Sequence, residues 1–136
     1  MSRPERIHPA ALFQDVPYDY ARVVPAGRLV FTAGACPLDE AGRVVAPGDL
    51  EAQTRQALHN LLAVLADAEV GPESLLKTTV FVVAGEQSDL VRAWNVVANG
   101  LGEARPPSTL LGVSALGYSG QLVEIEAVAL AAAVPT

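Results

Sequence analysis

One short segment restricts the fold of this chain more than any other. Residues 77–83 read Lys-Thr-Thr-Val-Phe-Val-Val, a run rich in β-branched residues whose apolar side chains fall at both odd and even positions. Because successive side chains of a strand point to opposite faces of a sheet, this pattern predicts a central strand that is covered on both faces. The fold must therefore provide two covers for one sheet.

Two amphipathic helices provide one of these covers. The first is predicted to begin after Asp49, a capping residue, and to close at Gly71. The second is predicted to begin at a cap on Ser88 and to end near Gly102. Apolar residues recur at helical spacing and form one stripe on each helix: Leu58, Leu61, Leu62 and Leu65 on the first, and Leu90, Trp94, Val97 and Leu101 on the second.

The remaining strand-like runs complete an α+β domain. Residues 20–24 and 29–33 predict a hairpin, residues 44–45 a short edge, and residues 108–116 and 122–130 the last two strands. The order ββ(β)αβαββ indicates a mixed sheet of about six strands with both helices packed on one face. We expect Val80, Val82 or Leu110 on the other face, where their apolar side chains predict association with further copies of the chain.

Length and composition narrow the classes of protein to be considered. The 136 residues predict one domain, with residues 1–17 as an N-terminal arm, and a formal charge of −6 opposes binding to nucleic acid. No apolar run is long enough to span a membrane, and the single cysteine, Cys36, fits a cytoplasmic protein without an internal disulfide. Two histidines and no glycine-rich phosphate loop predict neither a metal site nor a nucleotide cofactor.

A few polar residues are candidates for a site. Glu124 and Glu126 alternate with apolar residues on the last strand and share a face with Val128 and Leu130. They form either a solvated outer face or a buried seam, where a carboxylate needs a partner or a ligand. Cys36 is either a reactive thiol or a small buried hydrophobe. Ser108 and His59 lack the sequence context of a nucleophile and its base.

Several stretches together resemble the Rid or YjgF-type proteins, the reactive intermediate deaminases, over about residues 15–132. The matching stretches are residues 16–18, 27–34, 53–60, 77–82 and 123–129. The resemblance implies a chorismate-mutase-like α+β fold and a homotrimer, with sheets that line a central barrel and ligand clefts between subunits. It also implies hydrolysis of reactive enamines and imines, such as 2-aminoacrylate, to a keto acid and ammonia without a cofactor.

The resemblance also implies roles for individual residues. Glu124 matches the glutamate that positions water, and Gly34 and Tyr18 match residues that shape the cleft. By this resemblance the chain is a divergent member, because Ser108 stands where the family has its carboxylate-binding arginine. Ala35 likewise replaces a polar residue. Arg105, three residues upstream of Ser108, is a possible substitute for that arginine.

The missing arginine changes the expected substrate. An arginine clamps a carboxylate with two charge-assisted hydrogen bonds, whereas a serine hydroxyl offers one neutral donor of shorter reach. We therefore expect a deaminase for a small imine other than 2-aminoacrylate, with Glu124 catalytic and Ser108, Gly34, Tyr18 and Ala35 binding the substrate. The alternative is a non-catalytic trimer that binds a small metabolite, or has a regulatory role, through the same cleft. Ribonuclease activity is not favoured by an acidic chain with 5% aromatic residues.

Overall fold

In the computed structural model of the chain, which describes residues 4–132, two helices cover one face of a four-stranded sheet. Residues 1–3 of the predicted arm and residues 133–136 of the predicted domain lie outside this range. The helices are α1 (Leu50–Asp67) and α2 (Gln87–Leu101). The strands are β1 (Glu5–Ile7), β2 (Ala21–Val23), β3 (Arg28–Phe31), β4 (Leu75–Val83), β5 (Ser108–Val113) and β6 (Val123–Ala131).

The strand order of the main sheet is β3-β6-β4-β5, and β1 and β2 form a separate two-stranded ribbon. Strands β4 and β5 are parallel, with α2 as their crossover, while β6 is antiparallel to both β3 and β4. The predicted mixed α+β architecture is therefore confirmed, although its six strands belong to two sheets. Within residues 4–132, neither helix is long and apolar enough to cross a bilayer.

The helix ends show which capping predictions hold. Asp49 caps α1 as predicted, because its side chain accepts a hydrogen bond of 3.0 Å from the amide of Ala52. The predicted end at Gly71 is wrong, since the chain turns earlier, with Glu69 in the left-handed region at φ 60°. The predicted cap at Ser88 is also wrong: Glu86 caps α2 and forms a reciprocal capping box with Asp89.

The predicted opening hairpin does not form. Strand β2 pairs with β1, which lies in the predicted N-terminal arm, and β3 pairs with the last strand, β6. The physical reason lies in Arg22 on β2, whose buried side chain makes an ion pair of 2.7 Å with Asp19. Its guanidinium also donates to the backbone carbonyls of Leu75 and Ala104, which draws β2 away from β3.

The two faces of the sheet are reversed relative to the prediction. Val80 and Val82 are fully buried beneath the helices, and Leu110 packs against the same core. The face away from the helices is called the open face below. It carries the side chains that alternate along the strands with the buried ones: Phe31, Thr79, Phe81, Leu111, Glu124, Glu126 and Val128. The prediction was wrong because residues 80–83 are all apolar. The sequence therefore does not indicate which of their side chains point toward the helices and which point away from them. Phe31 is 72% exposed and Leu111 is 42% exposed, so the open face does present apolar surface.

Candidate functional site

The two carboxylates of β6 differ in their surroundings. Both Glu124 and Glu126 lie on the open face, as their spacing predicts, with Glu124 opposite Phe81 and Glu126 opposite Thr79 on β4. Glu126 is exposed, whereas Glu124 is half-buried. Glu124 is thus the carboxylate with an environment of its own.

One oxygen of the Glu124 carboxylate is held by two neutral donors. Its Oε1 accepts hydrogen bonds of 3.2 Å from the thiol of Cys36 and of 3.2 Å from Nε2 of Gln121. Its Oε2 lies over Gly34, where a Cβ would come within 2.7 Å of Cγ of Glu124 and closer still to the carboxylate. Position 34 must therefore be glycine for Glu124 to lie across this loop.

The loop of residues 33–38 is fixed to the sheet and to α1. Ala35 exchanges two backbone hydrogen bonds with Ile125, of 2.7 and 3.1 Å. The side-chain amide of Asn60 donates to the carbonyls of Cys36 (2.9 Å) and Leu38 (3.0 Å). The loop borders a pocket of about 310 Å³ whose lining carries no charged side chain: Thr32, Ala33, Gly34, Ala35, Cys36, Leu38, Asn60, Leu61, Val64 and Tyr118.

The environment of Cys36 keeps its thiol protonated. Burial, followed by the hydrogen bond and the negative charge of Glu124, raises the pKa of Cys36 from 9.0 to about 11, although the hydrogen bond with Gln121 acts in the opposite direction. At neutral pH the thiol is therefore a hydrogen-bond donor to Glu124. The contact with Glu124 distinguishes Cys36 from both a reactive thiolate and an isolated buried hydrophobe.

Ser108 and Tyr18 lie in a different place. Ser108 begins β5 opposite Thr78 on the helix-covered face, and their hydroxyl groups are hydrogen-bonded. The Ser108 hydroxyl also donates to the carbonyl of Pro106 at 3.0 Å. A pocket of about 480 Å³ at this edge of the sheet has mainly aromatic and apolar walls: Pro17, Tyr18, Trp94, Ser108, Thr109 and Leu110.

Arg105 is turned toward the N-terminal arm. Its backbone is left-handed at φ 44°, and its guanidinium donates to the carbonyl of Val16. Its own carbonyl accepts a hydrogen bond of 2.8 Å from the amide of Asp19. Arg105 is therefore engaged with the segment that carries Tyr18 and does not line the pocket at Ser108.

The sequence-derived site residues thus form two groups within one chain. Gly34 and Ala35 adjoin Glu124, while Tyr18 adjoins Ser108. The groups are separated by the sheet, since Glu124 lies on the open face and Ser108 on the helix-covered face.

Sequence reasoning missed two buried glutamines: Gln121, which donates to Glu124, and Gln53, which binds the backbone on both sides of Gln121. Gln121 donates to the carbonyl of Val123 at 3.0 Å and accepts from the amide of Tyr118 at 3.1 Å. Gln53 on α1 accepts from the amide of Leu122 at 2.8 Å. Only the burial of Gln53 could have been detected from sequence. This polar residue lies eight positions before Leu61 and therefore falls in the apolar stripe of α1.

Comparisons with known proteins agree with this architecture. The family model described as endoribonuclease L-PSP matches residues 14–131. RutC family protein PH0854 from Pyrococcus horikoshii is 34% identical over 110 residues, which are 81% of this chain and 85% of that protein. The crystal structure of YyfB from Yersinia pestis, a Rid-family protein of unknown function, is similar with a TM-score of 0.83 and 28% identity, covering 95% of this chain and 99% of that one.

A shorter match has a named activity. The 2-iminobutanoate/2-iminopropanoate deaminase from Salmonella typhimurium is 40% identical over 63 residues, which are 46% of this chain and 48% of that enzyme. The family model, by contrast, covers nearly the whole chain. The chain therefore belongs to the endoribonuclease L-PSP family, the family of the RutC and Rid proteins, as its sequence motifs predict.

Proposed function

We propose that this protein is a cofactor-independent enamine or imine deaminase whose substrate is not held by a carboxylate. The observation that carries the proposal is the Glu124 carboxylate, which is held at one oxygen and places the other against Gly34. Gly34 belongs to the loop that borders the pocket of uncharged residues. Such a carboxylate can accept a proton from water while the hydroxyl group adds to the imine carbon. Returning that proton to the nitrogen completes the carbinolamine. The same carboxylate then moves the proton of the carbinolamine hydroxyl group to the amino group, so that the C–N bond breaks, ammonia leaves and a carbonyl product remains.

The proposed site lies between subunits of a homotrimer. Two observations support it: the sheet separates Glu124 from Ser108 within one chain, and Phe31 and Leu111 expose apolar surface on the open face. Burying that face around a central barrel would remove the apolar surface from water. A neighbouring copy would then bring its Ser108 and Tyr18 to the Glu124 of the first.

The pocket at Ser108 favours a substrate with an apolar or aromatic group. Trp94, Tyr18 and Leu110 provide apolar walls, and the Ser108 hydroxyl is already bonded to its neighbours. Neither nearby cation compensates for the missing arginine. The guanidinium of Arg105 is bound to the arm, and the ammonium of Lys77 donates to Thr109. A substrate carboxylate would lose its hydration here without a charged partner.

The description of the family as endoribonucleases does not alter this proposal. A chain with a formal charge of −6 repels a phosphate backbone. The cytoplasmic location that Cys36 suggests stays a prediction.

The alternative is a non-catalytic trimer that binds a small metabolite in the same cleft. It is favoured by one observation, the engagement of the Ser108 hydroxyl by Thr78 and Pro106, which leaves little polar anchoring for a reacting substrate. Binding through apolar contact alone needs no aligned reaction centre. The two hypotheses therefore differ in whether Glu124 takes part in turnover.

A substrate panel combined with one substitution separates them. An amine oxidase acting on 2-phenylethylamine supplies a neutral imine, and an amino-acid oxidase acting on alanine supplies one with a carboxylate. We expect the protein to speed ammonia release from the neutral imine more than from the charged one. Glu124→Gln should lower that rate by roughly a hundredfold, because the amide cannot exchange a proton.

Glu126→Gln is the matched control, since Glu126 lies on the same face but is exposed, and its rate should equal that of the unmodified protein. Light scattering should give the mass of a trimer for all three proteins. A monomer at micromolar concentration would contradict the shared cleft. No rate above that of the uncatalysed reaction for the unmodified protein, together with weaker binding of the amine by Glu124→Gln, would support the non-catalytic alternative.

A further inference from the structure

The hydrogen bonds around Glu124 come from two separate parts of the chain and converge on one atom. Cys36 lies in the loop after β3 and Gln121 in the turn before β6, yet both donate to Oε1. We propose that Cys36 and Gln121 are positioning residues that fix the Glu124 carboxylate, so that only Oε2 is presented to water and substrate. The inference rests on the proposed function for its kinetic consequence, but the contacts themselves can be tested without turnover.

Gln121 is a rigid donor because both ends of its side-chain amide are bound. Its oxygen accepts from the amide of Tyr118, and its nitrogen donates to the carbonyl of Val123 as well as to Glu124. A primary amide has two N–H groups, and these two acceptors engage both of them while the thiol of Cys36 is protonated. Its orientation is therefore determined, and with it the direction from which Glu124 is held.

Cys36 is held with similar rigidity through its backbone. The side-chain amide of Asn60 on α1 donates to the carbonyl of Cys36. The backbone N–H and C=O groups of the preceding residue, Ala35, are both hydrogen-bonded to Ile125 on β6. The backbone of Cys36 is therefore fixed beside Glu124, and its Sγ lies 3.2 Å from Oε1 of that carboxylate. A carboxylate held by rigid donors does not lose orientational freedom when the reaction begins.

The neutrality of both donors has a chemical consequence. An arginine or lysine in their place would stabilise the ionised carboxylate strongly and make it a poorer base. A thiol and an amide orient the carboxylate while adding no positive charge. The arrangement suits a group that must accept a proton and return it within one catalytic cycle.

A nucleophilic role for Cys36 is the competing interpretation, with Glu124 as its base. The negative charge of Glu124 and the burial of the thiol both oppose formation of a thiolate, which is the reactive species. A carboxylate beside a nucleophilic thiol would need a nearby cation to offset that effect. The lining of this pocket within residues 4–132 contains none.

The kinetic test compares two substitutions at one position. Cys36→Val removes the donor and adds about one methyl group of volume, whereas Cys36→Ser restores a donor on a smaller side chain. With the imine from 2-phenylethylamine, Cys36→Val should lower kcat about tenfold with little change in KM, and Cys36→Ser should recover most of the loss. Equal rates for the valine variant and the unmodified protein would overturn the proposal. A covalent substrate adduct on Cys36, detected by mass spectrometry, would also overturn it.

The second test uses the ultraviolet absorbance of the thiolate and needs no substrate. Glu124→Gln should lower the pKa of Cys36 because it removes a negative charge and a strong acceptor, and Gln121→Leu should raise it. A Cys36 titration that neither substitution moves would show that the contacts do not exist. Circular dichroism confirms that each variant is folded. If the unmodified protein hydrolyses no imine while both shifts occur, the proposed function fails and the positioning contacts stand.

Discussion

The surroundings of Glu124 and those of Ser108 are built in opposite ways. Glu124 is surrounded by polar contacts between the main sheet, α1 and the adjoining loops, and every donor to its carboxylate is itself held. Ser108 borders a pocket of apolar walls, part of which is supplied by the N-terminal arm through Pro17 and Tyr18. The comparison teaches that Glu124, the proposed acid–base group, is held by contacts of the main sheet and its loops, whereas the pocket at Ser108, the proposed ligand-holding surface, depends on how a separate segment is attached.

A buried ion pair attaches that segment. Asp19 follows Tyr18 directly, and its carboxylate binds Arg22 at 2.7 Å and Arg6 at 2.9 Å. The side chains of Asp19 and Arg22 are 6% and 3% exposed, so neither is appreciably solvated. The geometry of the pocket at Ser108 is thus linked to the stability of one charged contact.

The largest effect is expected from removing that contact. Asp19→Ala leaves the Arg22 guanidinium buried without its counter-ion and should lower the free energy of unfolding by about 3 kcal/mol. It should also loosen the arm around Tyr18, while the titration of Cys36 beside Glu124 stays as in the unmodified protein. Urea denaturation measures the first effect, limited proteolysis of the arm the second, and thiolate absorbance the third.

Arg43→Ala is the control for this experiment. It removes an ion pair with Asp39 in which the arginine side chain is 79% exposed, and such pairs contribute little to stability. Its urea midpoint should match that of the unmodified protein. If Asp19→Ala also shifts the Cys36 titration, the two regions are coupled and the comparison between them is wrong.

A smaller effect is expected from adding a charge to the pocket at Ser108. Ser108→Arg places a guanidinium among Tyr18, Trp94 and Leu110, where a substrate carboxylate would otherwise have no charged partner. The rate with the imine from alanine, divided by the rate with the imine from 2-phenylethylamine, should rise about tenfold. Ammonia release from the two oxidase-coupled reactions gives this ratio.

Ser114→Arg serves as the matched control, because it adds the same charge at an exposed position just beyond the end of β5. Its rate ratio should remain that of the unmodified protein. An equal rise in both variants would mean that the net charge, rather than the pocket at Ser108, selects the substrate.

The regular elements of the fold were largely predictable from sequence because their signals are local. The apolar stripe of α1, the cap at Asp49 and the β-branched run of residues 77–83 each depend on neighbouring residues only. The partner of β2 was not predictable, since it depends on where the Arg22 side chain meets the carbonyls of Leu75 and Ala104, more than fifty residues away. The direction of Val80 was equally hidden, because both faces of β4 are apolar.

The sequence indicates some members of the candidate site, whose roles stay a prediction, but it does not indicate their arrangement. The family motif identifies Glu124 and Gly34, and their close contact explains why both are present. The support from Gln121 could not be predicted, because an amide in a turn before a strand has many possible partners. Cys36 had two interpretations from sequence, and only the position of Glu124 defines its hydrogen bond.

The smallest effect is the contribution of Cys36 to stability at high pH. The native thiol titrates at about 11 instead of its ordinary pKa of 9.0, so below pH 9 it is protonated in both the folded and the unfolded chain. Between these two values the unfolded chain releases the proton while the native protein keeps it, and stability must therefore fall as the pH rises. Because the thiol is only partly buried, we expect a loss on the order of 1 kcal/mol.

Cys36→Ser does not titrate in this range and should lack this part of the decline. Urea midpoints of the two proteins from about pH 8 to about pH 11 isolate the thiol from the lysines and tyrosines that both share. Parallel curves would mean that neither burial nor Glu124 raises the pKa of Cys36 in the folded protein.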